Sequence, residues 1–88
     1  TVIRPADGTE TSGAYKVAIE KSKANAPTLL AFTRQNVPNL AGSSIEGVTK
    51  GAYTIVDSQG TPDIILIGTG SEVSLCVTAA EKLTAEGK

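Results

Sequence analysis

Arg34 is the residue whose type and position best suit binding chemistry. It follows an apolar run at residues 28–32 that lacks polar alternation, which predicts a strand covered on both faces, as in a parallel sheet. Ligands of open α/β sheets bind beyond the carboxyl ends of the strands. Arginine keeps its charge and offers a planar set of donors suited to phosphate or carboxylate, so Arg34 is predicted to bind an anion. The alternative is a structural ion pair or a contact with loop carbonyl groups.

Arg4 is a second arginine at the end of a predicted strand, because the chain opens with the β-branched residues Thr1, Val2 and Ile3. A helix that connects two parallel strands leaves their carboxyl ends at the same edge of the sheet. Arg4 and Arg34 are therefore expected near one edge. Two arginines there favour an anionic ligand, although either could instead be ion-paired within the protein.

Gly68, Thr69 and Gly70 stand between a predicted strand and a predicted helix, where a glycine-rich turn can hold a nucleotide phosphate. The dinucleotide fingerprint G-x-G-x-x-G requires glycine where this chain has Val73, and no Gly-Lys-Ser/Thr of a P-loop follows. The segment is therefore predicted to be a tight strand-to-helix turn rather than a phosphate site.

Asp7 and Glu10 form a carboxylate pair that could serve acid–base chemistry or a metal ion. Their spacing, just before an apolar helical pattern, instead predicts a capping box, in which both side chains accept backbone N–H groups at the helix start. Cys76 lies on the apolar face of a predicted helix and is expected to be a core residue. Tyr15 and Tyr53 have no base near them in sequence and are expected to pack.

The composition excludes several classes of function. The chain has 88 residues, no histidine and one cysteine, which rules out Ser-His-Asp and Cys-His nucleophile systems within it and argues against a zinc site. The net charge is −1, with both signs interspersed, which argues against a nucleic-acid partner or an anionic membrane surface. No apolar run approaches the length of about 18 residues that a transmembrane helix needs.

The first half of the chain is predicted to form a βαβ unit. Its helix starts at the Asp7 cap, carries an apolar stripe and ends near Lys23. Asn25 can adopt a left-handed cap conformation, and Pro27 prevents the helix from continuing. Residues 28–33 then form the second strand, which is expected to be parallel to the first.

The second half is predicted to be a linker followed by a βα unit. Residues 36–62 are rich in Gly, Pro and Ser, which indicates a linker with a helical turn capped near residues 43–46 and a short strand at 53–56. A buried-type strand at 63–67 and a helix over 72–86 follow. The predicted fold class is α/β, with pieces of two parallel-sheet domains. Because the chain opens in a strand and stops just after a helix, we expect a piece of a longer protein.

Four stretches, in this order, resemble transketolases, most closely the plant or algal ones. They are residues 3–16 (IRPADGTETSGAYK), 33–40 (TRQNVPNL), 47–53 (GVTKGAY) and 62–73 (PDIILIGTGSEV). The resemblance implies that residues 1–40 end the middle, pyrimidine-binding domain. Residues 41–61 would then be a linker, and residues 62–88 would start the C-terminal domain.

The resemblance also implies an activity. This family transfers a two-carbon ketol unit from a ketose phosphate to an aldose phosphate, in the Calvin cycle or the pentose phosphate pathway. It works as a homodimer in chloroplast or cytoplasm, with thiamine diphosphate and Mg²⁺ (or Ca²⁺). Arg34 matches the family's arginine that binds the substrate phosphate. The family's catalytic, cofactor-binding and metal-binding residues have no counterparts here, so the piece alone is expected to be inactive and to bind no cofactor.

Two alternatives remain from the sequence. One is a related thiamine enzyme such as a dihydroxyacetone synthase, which shares these domains and differs in acceptor use. The other is a non-catalytic α/β binding module that folds by itself and binds a sugar phosphate without thiamine.

Overall fold

The computed structural model describes all 88 residues and contains two short strands and three helices. Strand β1 is Val2–Ile3, helix α1 is Gly8–Ser22, strand β2 is Leu29–Leu30, helix α2 is Ile45–Thr49 and helix α3 is Val73–Ala85. A single 3₁₀ turn, Gly70–Glu72, leads into α3. No helix combines the length and the apolar character needed to cross a membrane.

Strands β1 and β2 pair in parallel, with Val2 opposite Leu29 and Ile3 opposite Leu30. The α/β class and the parallel βαβ unit are therefore confirmed, although β2 is much shorter than the predicted strand at 28–33. The pairing stops because β1 turns away at Pro5, which has no N–H to donate. The carbonyl of Arg4 accepts instead from the backbone N–H of Gly70, at 3.0 Å.

Helix α1 begins and ends as its sequence predicts. The Asp7 side chain accepts from the backbone N–H of Glu10 at 2.9 Å, and the Glu10 carboxylate accepts from the backbone N–H of Ala6 at 2.7 Å. At the other end, Asn25 takes a left-handed conformation with φ of 56°. The N–H of Ala26 then reaches the carbonyl of Lys21 at 3.0 Å, as in a Schellman motif.

The small core lies under α1, where α2 packs against it. Its buried apolar side chains are Ala6, Ala14 and Val17. Gly13 permits the close approach of the two helices, because a Cβ there would lie 2.9 Å from Cγ2 of Val48. The predicted turn cap is confirmed, since the Ser44 hydroxyl accepts from the N–H of Gly47 at 2.8 Å.

Two predicted strands, at 53–56 and 63–67, are wrong for this structure, because neither pairs with a neighbour. Residues 64–67 carry apolar side chains but stay open to solvent, with Ile65 75% and Ile67 88% exposed. A strand exists only where its backbone groups meet those of another strand, and sequence pattern alone does not supply that partner.

Helix α3 starts one residue later than the predicted 72 and ends at Ala85, one residue before the predicted 86. The left-handed φ of 84° at Gly87 lets the N–H of Lys88 reach the carbonyl of Leu83 at 2.9 Å. Cys76 is half-buried and faces the turn before the helix, where a Cβ on Gly68 would lie 2.8 Å from its sulfur. The expectation that Cys76 is a core residue is wrong, because no residue of α3 is buried and the apolar core consists of Ala6, Ala14 and Val17.

Candidate functional site

A cleft of about 170 Å³ lies at the predicted edge, beyond the carboxyl ends of β1 and β2. It is lined by Arg4 and Pro5 after β1, by residues 31–33 after β2, and by Gly70 and Ser71 from the second half of the chain. The position follows from the parallel register, since both strands end at this edge. The turn of the second half closes the cleft from the other side.

Arg4 is an ion-paired structural residue, which is the alternative that the sequence left open for either arginine at this edge. Its guanidinium donates to the Thr69 hydroxyl at 2.8 Å and to the Glu72 carboxylate at 3.2 Å. Hydrogen bonds from the backbone N–H of Glu72 and from Ser71, together with the nearby charge of Arg4, lower the pKa of the Glu72 carboxyl. Both partners of the ion pair are half-exposed, so water screens their attraction. The contact therefore fixes the orientation of the two side chains more than it stabilises the fold.

The segment 68–70 is a structural turn, as predicted. Gly70 has a left-handed φ of 59°, and a Cβ there would lie 3.1 to 3.3 Å from the Arg4 guanidinium. The two observations together require glycine at this position. The second glycine of the nucleotide-like pattern thus serves the contact with Arg4.

Arg34 lies in a bend directly after Thr33, the last of the cleft residues that follow β2. It is exposed, and its guanidinium forms neither a hydrogen bond nor an ion pair with the rest of the chain. Its donors are therefore open to a ligand. Of the two arginines expected at this edge, Arg4 binds Thr69 and Glu72, whereas Arg34 has no partner within the chain.

Asp7 does more than cap α1. One carboxylate oxygen accepts from the N–H of Glu10, while the other accepts from the N–H of Leu40 at 2.9 Å and from the Ser43 hydroxyl at 2.6 Å. Asp7 is only 2% exposed. Burial by itself raises the pKa of Asp7, but the hydrogen bonds from Ser43 and from the backbone outweigh it, so the pKa lies below its usual value.

Tyr53 joins this network through Glu10, a role that sequence reasoning missed. Its hydroxyl donates to the Glu10 carboxylate at 2.7 Å and accepts from the N–H of Ser44 at 3.2 Å. Burial, followed by the hydrogen bond to Glu10, raises the pKa of Tyr53 to about 12. The partners are 43 residues apart, and no local pattern in the sequence links them.

The carboxylates of Asp7 and Glu10 do not form a metal site. All four of their oxygens accept hydrogen bonds from donors within the chain, at 2.6 to 2.9 Å. No group of three His, Cys, Asp or Glu side chains that could hold a metal ion is present. The pair acts in capping and in fixing the linker, which confirms the capping interpretation.

The comparisons with known proteins identify the family. Residues 51–88 match the model of the transketolase-like TK C-terminal domain. The whole chain is 82% identical to the transketolase of Nostoc sp. over 88 residues, which are 13% of that protein. Chloroplastic transketolases of Spinacia oleracea and Solanum tuberosum are 55% and 57% identical over 99% of the chain and 12% of their own length.

The chain thus spans 12 to 13% of the length of these relatives. No solved structure gives a significant match. The resemblance found in the four sequence stretches is confirmed, with identity to plant enzymes above half and identity to a cyanobacterial enzyme greater still. These 88 residues belong to the transketolase family.

Proposed function

We propose that the chain is a segment of a thiamine diphosphate-dependent transketolase, which moves a two-carbon ketol unit from a ketose phosphate to an aldose phosphate. The identity of 82% along the whole chain supports this proposal. The segment contributes binding of the substrate phosphate and is inactive by itself. Residues that bind the cofactor and a Mg²⁺ or Ca²⁺ ion are proposed to lie elsewhere in the longer protein, since no three His, Cys, Asp or Glu side chains of this segment come together as a metal site.

Residues 1–40 are proposed to end the pyrimidine-binding domain, residues 41–61 to be the linker and residues 62–88 to start the C-terminal domain. The match of residues 51–88 to the C-terminal domain family supports the last assignment. The Arg4–Glu72 contact then joins the two domains. The longer protein is proposed to be a homodimer of chloroplast or cytoplasm, and its chloroplastic relatives favour a role in the Calvin cycle.

The observation that carries the binding role is that Arg34 is unpaired and exposed at the strand edge. A guanidinium without an internal partner can form two charge-assisted hydrogen bonds to one phosphate group. Arg4, on the same edge, is held by Thr69 and Glu72 and has less to offer a ligand. The proposed task of Arg34 is therefore to hold the phosphate end of the sugar, not to take part in proton transfer.

The test is Arg34→Ala in the full-length enzyme, assayed with a phosphorylated ketose and with a non-phosphorylated ketose. Loss of a charged hydrogen bond costs about 1.5–3 kcal/mol, so KM for the phosphorylated substrate should rise about ten- to hundredfold. KM for the non-phosphorylated ketose should hardly change.

Arg34→Lys keeps the charge but loses the planar fork and should fall between wild type and Arg34→Ala. Arg4→Ala, the other arginine on this edge, is the control and should not discriminate between the two substrates. An unchanged KM for every phosphorylated substrate in Arg34→Ala would falsify the assignment.

A further inference from the structure

The segment that carries Arg34 is fixed at both ends to residues 3–8, which run from the end of β1 to the start of α1. Before it, the N–H of Ala31 donates to the carbonyl of Ile3 at 3.0 Å. After it, the N–H of Leu40 donates to the Asp7 carboxylate at 2.9 Å, and the N–H of Gly8 donates to the Asn39 side chain at 3.2 Å. The two ends of the segment are therefore tied to one short stretch of chain.

Between these anchors, no hydrogen bond ties the segment to the rest of the chain, and its aromatic contact is that of Phe32 with Tyr15 of α1, with ring centroids 6.2 Å apart. The one hydrogen bond of residues 32–38 is internal to them, from the N–H of Gln35 to the Thr33 hydroxyl at 3.4 Å. The position of Arg34 therefore depends on the first anchor with the Phe32 contact on one side and on the second anchor on the other. The first anchor is a rung of the β-ladder, and the second is a buried side chain.

Asp7 is suited to this second anchor because it is 2% exposed and fixed by α1 itself. One oxygen belongs to the helix cap, and the other is shared by the N–H of Leu40 and the hydroxyl of Ser43. A short carboxylate that is locked to a helix start gives the loop a defined position. The same residue thus sets both the helix start and the distal end of the Arg34 segment.

We propose that Asp7 is a positioning residue for the substrate phosphate, because its carboxylate fixes the segment 32–38 and thereby the guanidinium of Arg34. The inference rests on the proposed role of Arg34 in phosphate binding. It adds that a loop ordered before the substrate binds lowers the entropic cost of ordering Arg34 at the moment of binding.

Asp7→Asn in the full-length enzyme separates the two tasks of this side chain. Asparagine caps helices about as well as aspartate, so its amide oxygen can keep the N–H of Glu10. Its NH₂ group faces the N–H of Leu40 and the Ser43 hydroxyl and cannot accept from the Leu40 N–H. Asp57→Asn is the matched control, because Asp57 is exposed and accepts only from the N–H of the adjacent Ser58.

The first readout is the rate of trypsin cleavage after Arg34, followed by mass spectrometry in the absence of substrate. Release of the anchor should speed this cleavage about fivefold or more, because a protease needs a locally opened chain. The second readout is kinetic. KM for a phosphorylated ketose should rise about three- to tenfold, with kcat and the KM for a non-phosphorylated ketose unchanged.

A double variant completes the test. In an Arg34→Ala background, Asp7→Asn should add no further loss with the phosphorylated substrate, since it acts through Arg34. If Asp7→Asn does not fold, Ser43→Ala removes one of the two bonds to the same oxygen and should shift both readouts less in the same direction.

Three outcomes would overturn the inference: unchanged cleavage after Arg34, an equal loss with both ketoses, or an additive loss in the double variant. Failure of the proposed function has a different signature. In that case Arg34→Ala itself would leave KM unchanged, and the phosphate-positioning role of Asp7 would fall with it. The cleavage rate would still decide whether Asp7 anchors the segment.

Discussion

The two carboxylates at the start of α1 show how one residue can satisfy local and distant partners. Asp7 and Glu10 each use one oxygen for a backbone group at the helix start, as their spacing predicts. Each uses its second oxygen for a partner more than thirty residues away, Leu40 and Ser43 for Asp7 and Tyr53 for Glu10. The local half of this arrangement can be read from the sequence, whereas the distant half depends on where the linker lies.

Tyr53→Phe should loosen the linker at Ser44, because it leaves the second oxygen of Glu10 without a donor and the N–H of Ser44 without an acceptor. Glu10 is buried, so the local cost should be about 1–2 kcal/mol. Hydrogen exchange of the peptide over residues 44–50 in the full-length enzyme should then be about five- to thirtyfold faster. Tyr15→Phe is the control, because the Tyr15 hydroxyl forms no hydrogen bond and only its ring packs, 6.2 Å from that of Phe32. Equal exchange in both variants would contradict the role of Tyr53.

Among the elements, those defined by local chemistry could be predicted, and those defined by a partner could not. The bounds of helix α1 were predicted to within a residue because its Asp7 cap, its apolar stripe and the left-handed Asn25 at its end all depend on residues close together in sequence. Residues 63–67 show the reverse: the apolar run 64–67, with three isoleucines, favours a strand but does not indicate which neighbouring strand it would pair with. At the candidate site, the sequence predicted that Arg34 follows the second strand, but it could not show that Arg4 pairs with Glu72, 68 residues away.

Gly70→Ala should weaken the contact between the two halves of the chain. Alanine at a φ of 59° costs about 1–2 kcal/mol, and its Cβ would also press on the Arg4 guanidinium. Gly60→Ala is the matched control, since Gly60 has a φ of 90° and nothing within 4 Å of an added Cβ. Hydrogen exchange over residues 68–76 in the full-length enzyme should be faster in Gly70→Ala than in wild type, and Gly60→Ala should leave that region unchanged. If exchange there is as slow in Gly70→Ala as in wild type, the Arg4 contact does not hold the turn.

For the whole molecule, the amount of buried surface is small for its length. Nine of the 88 residues are buried, and the apolar core consists of two alanines and one valine. Large apolar side chains, including Ile65 and Ile67, remain in contact with water. Folding has to offset about 1–2 kcal/mol of backbone entropy for each ordered residue, and burial on this scale offsets little of it.

The isolated 88 residues should therefore lack a cooperative thermal transition, whereas the full-length enzyme should unfold with one or more sharp transitions. Helical circular dichroism of the isolated chain should fall gradually with temperature, since α1 keeps its local caps while the two-stranded sheet has few neighbours and residues 63–67 pair with no strand. Differential scanning calorimetry distinguishes the cases. A single sharp endotherm for the isolated chain, with calorimetric and van't Hoff enthalpies in agreement, would mean that the chain folds as an independent unit. Binding of a sugar phosphate by that folded unit without thiamine diphosphate would favour an α/β binding module over a segment of a larger enzyme.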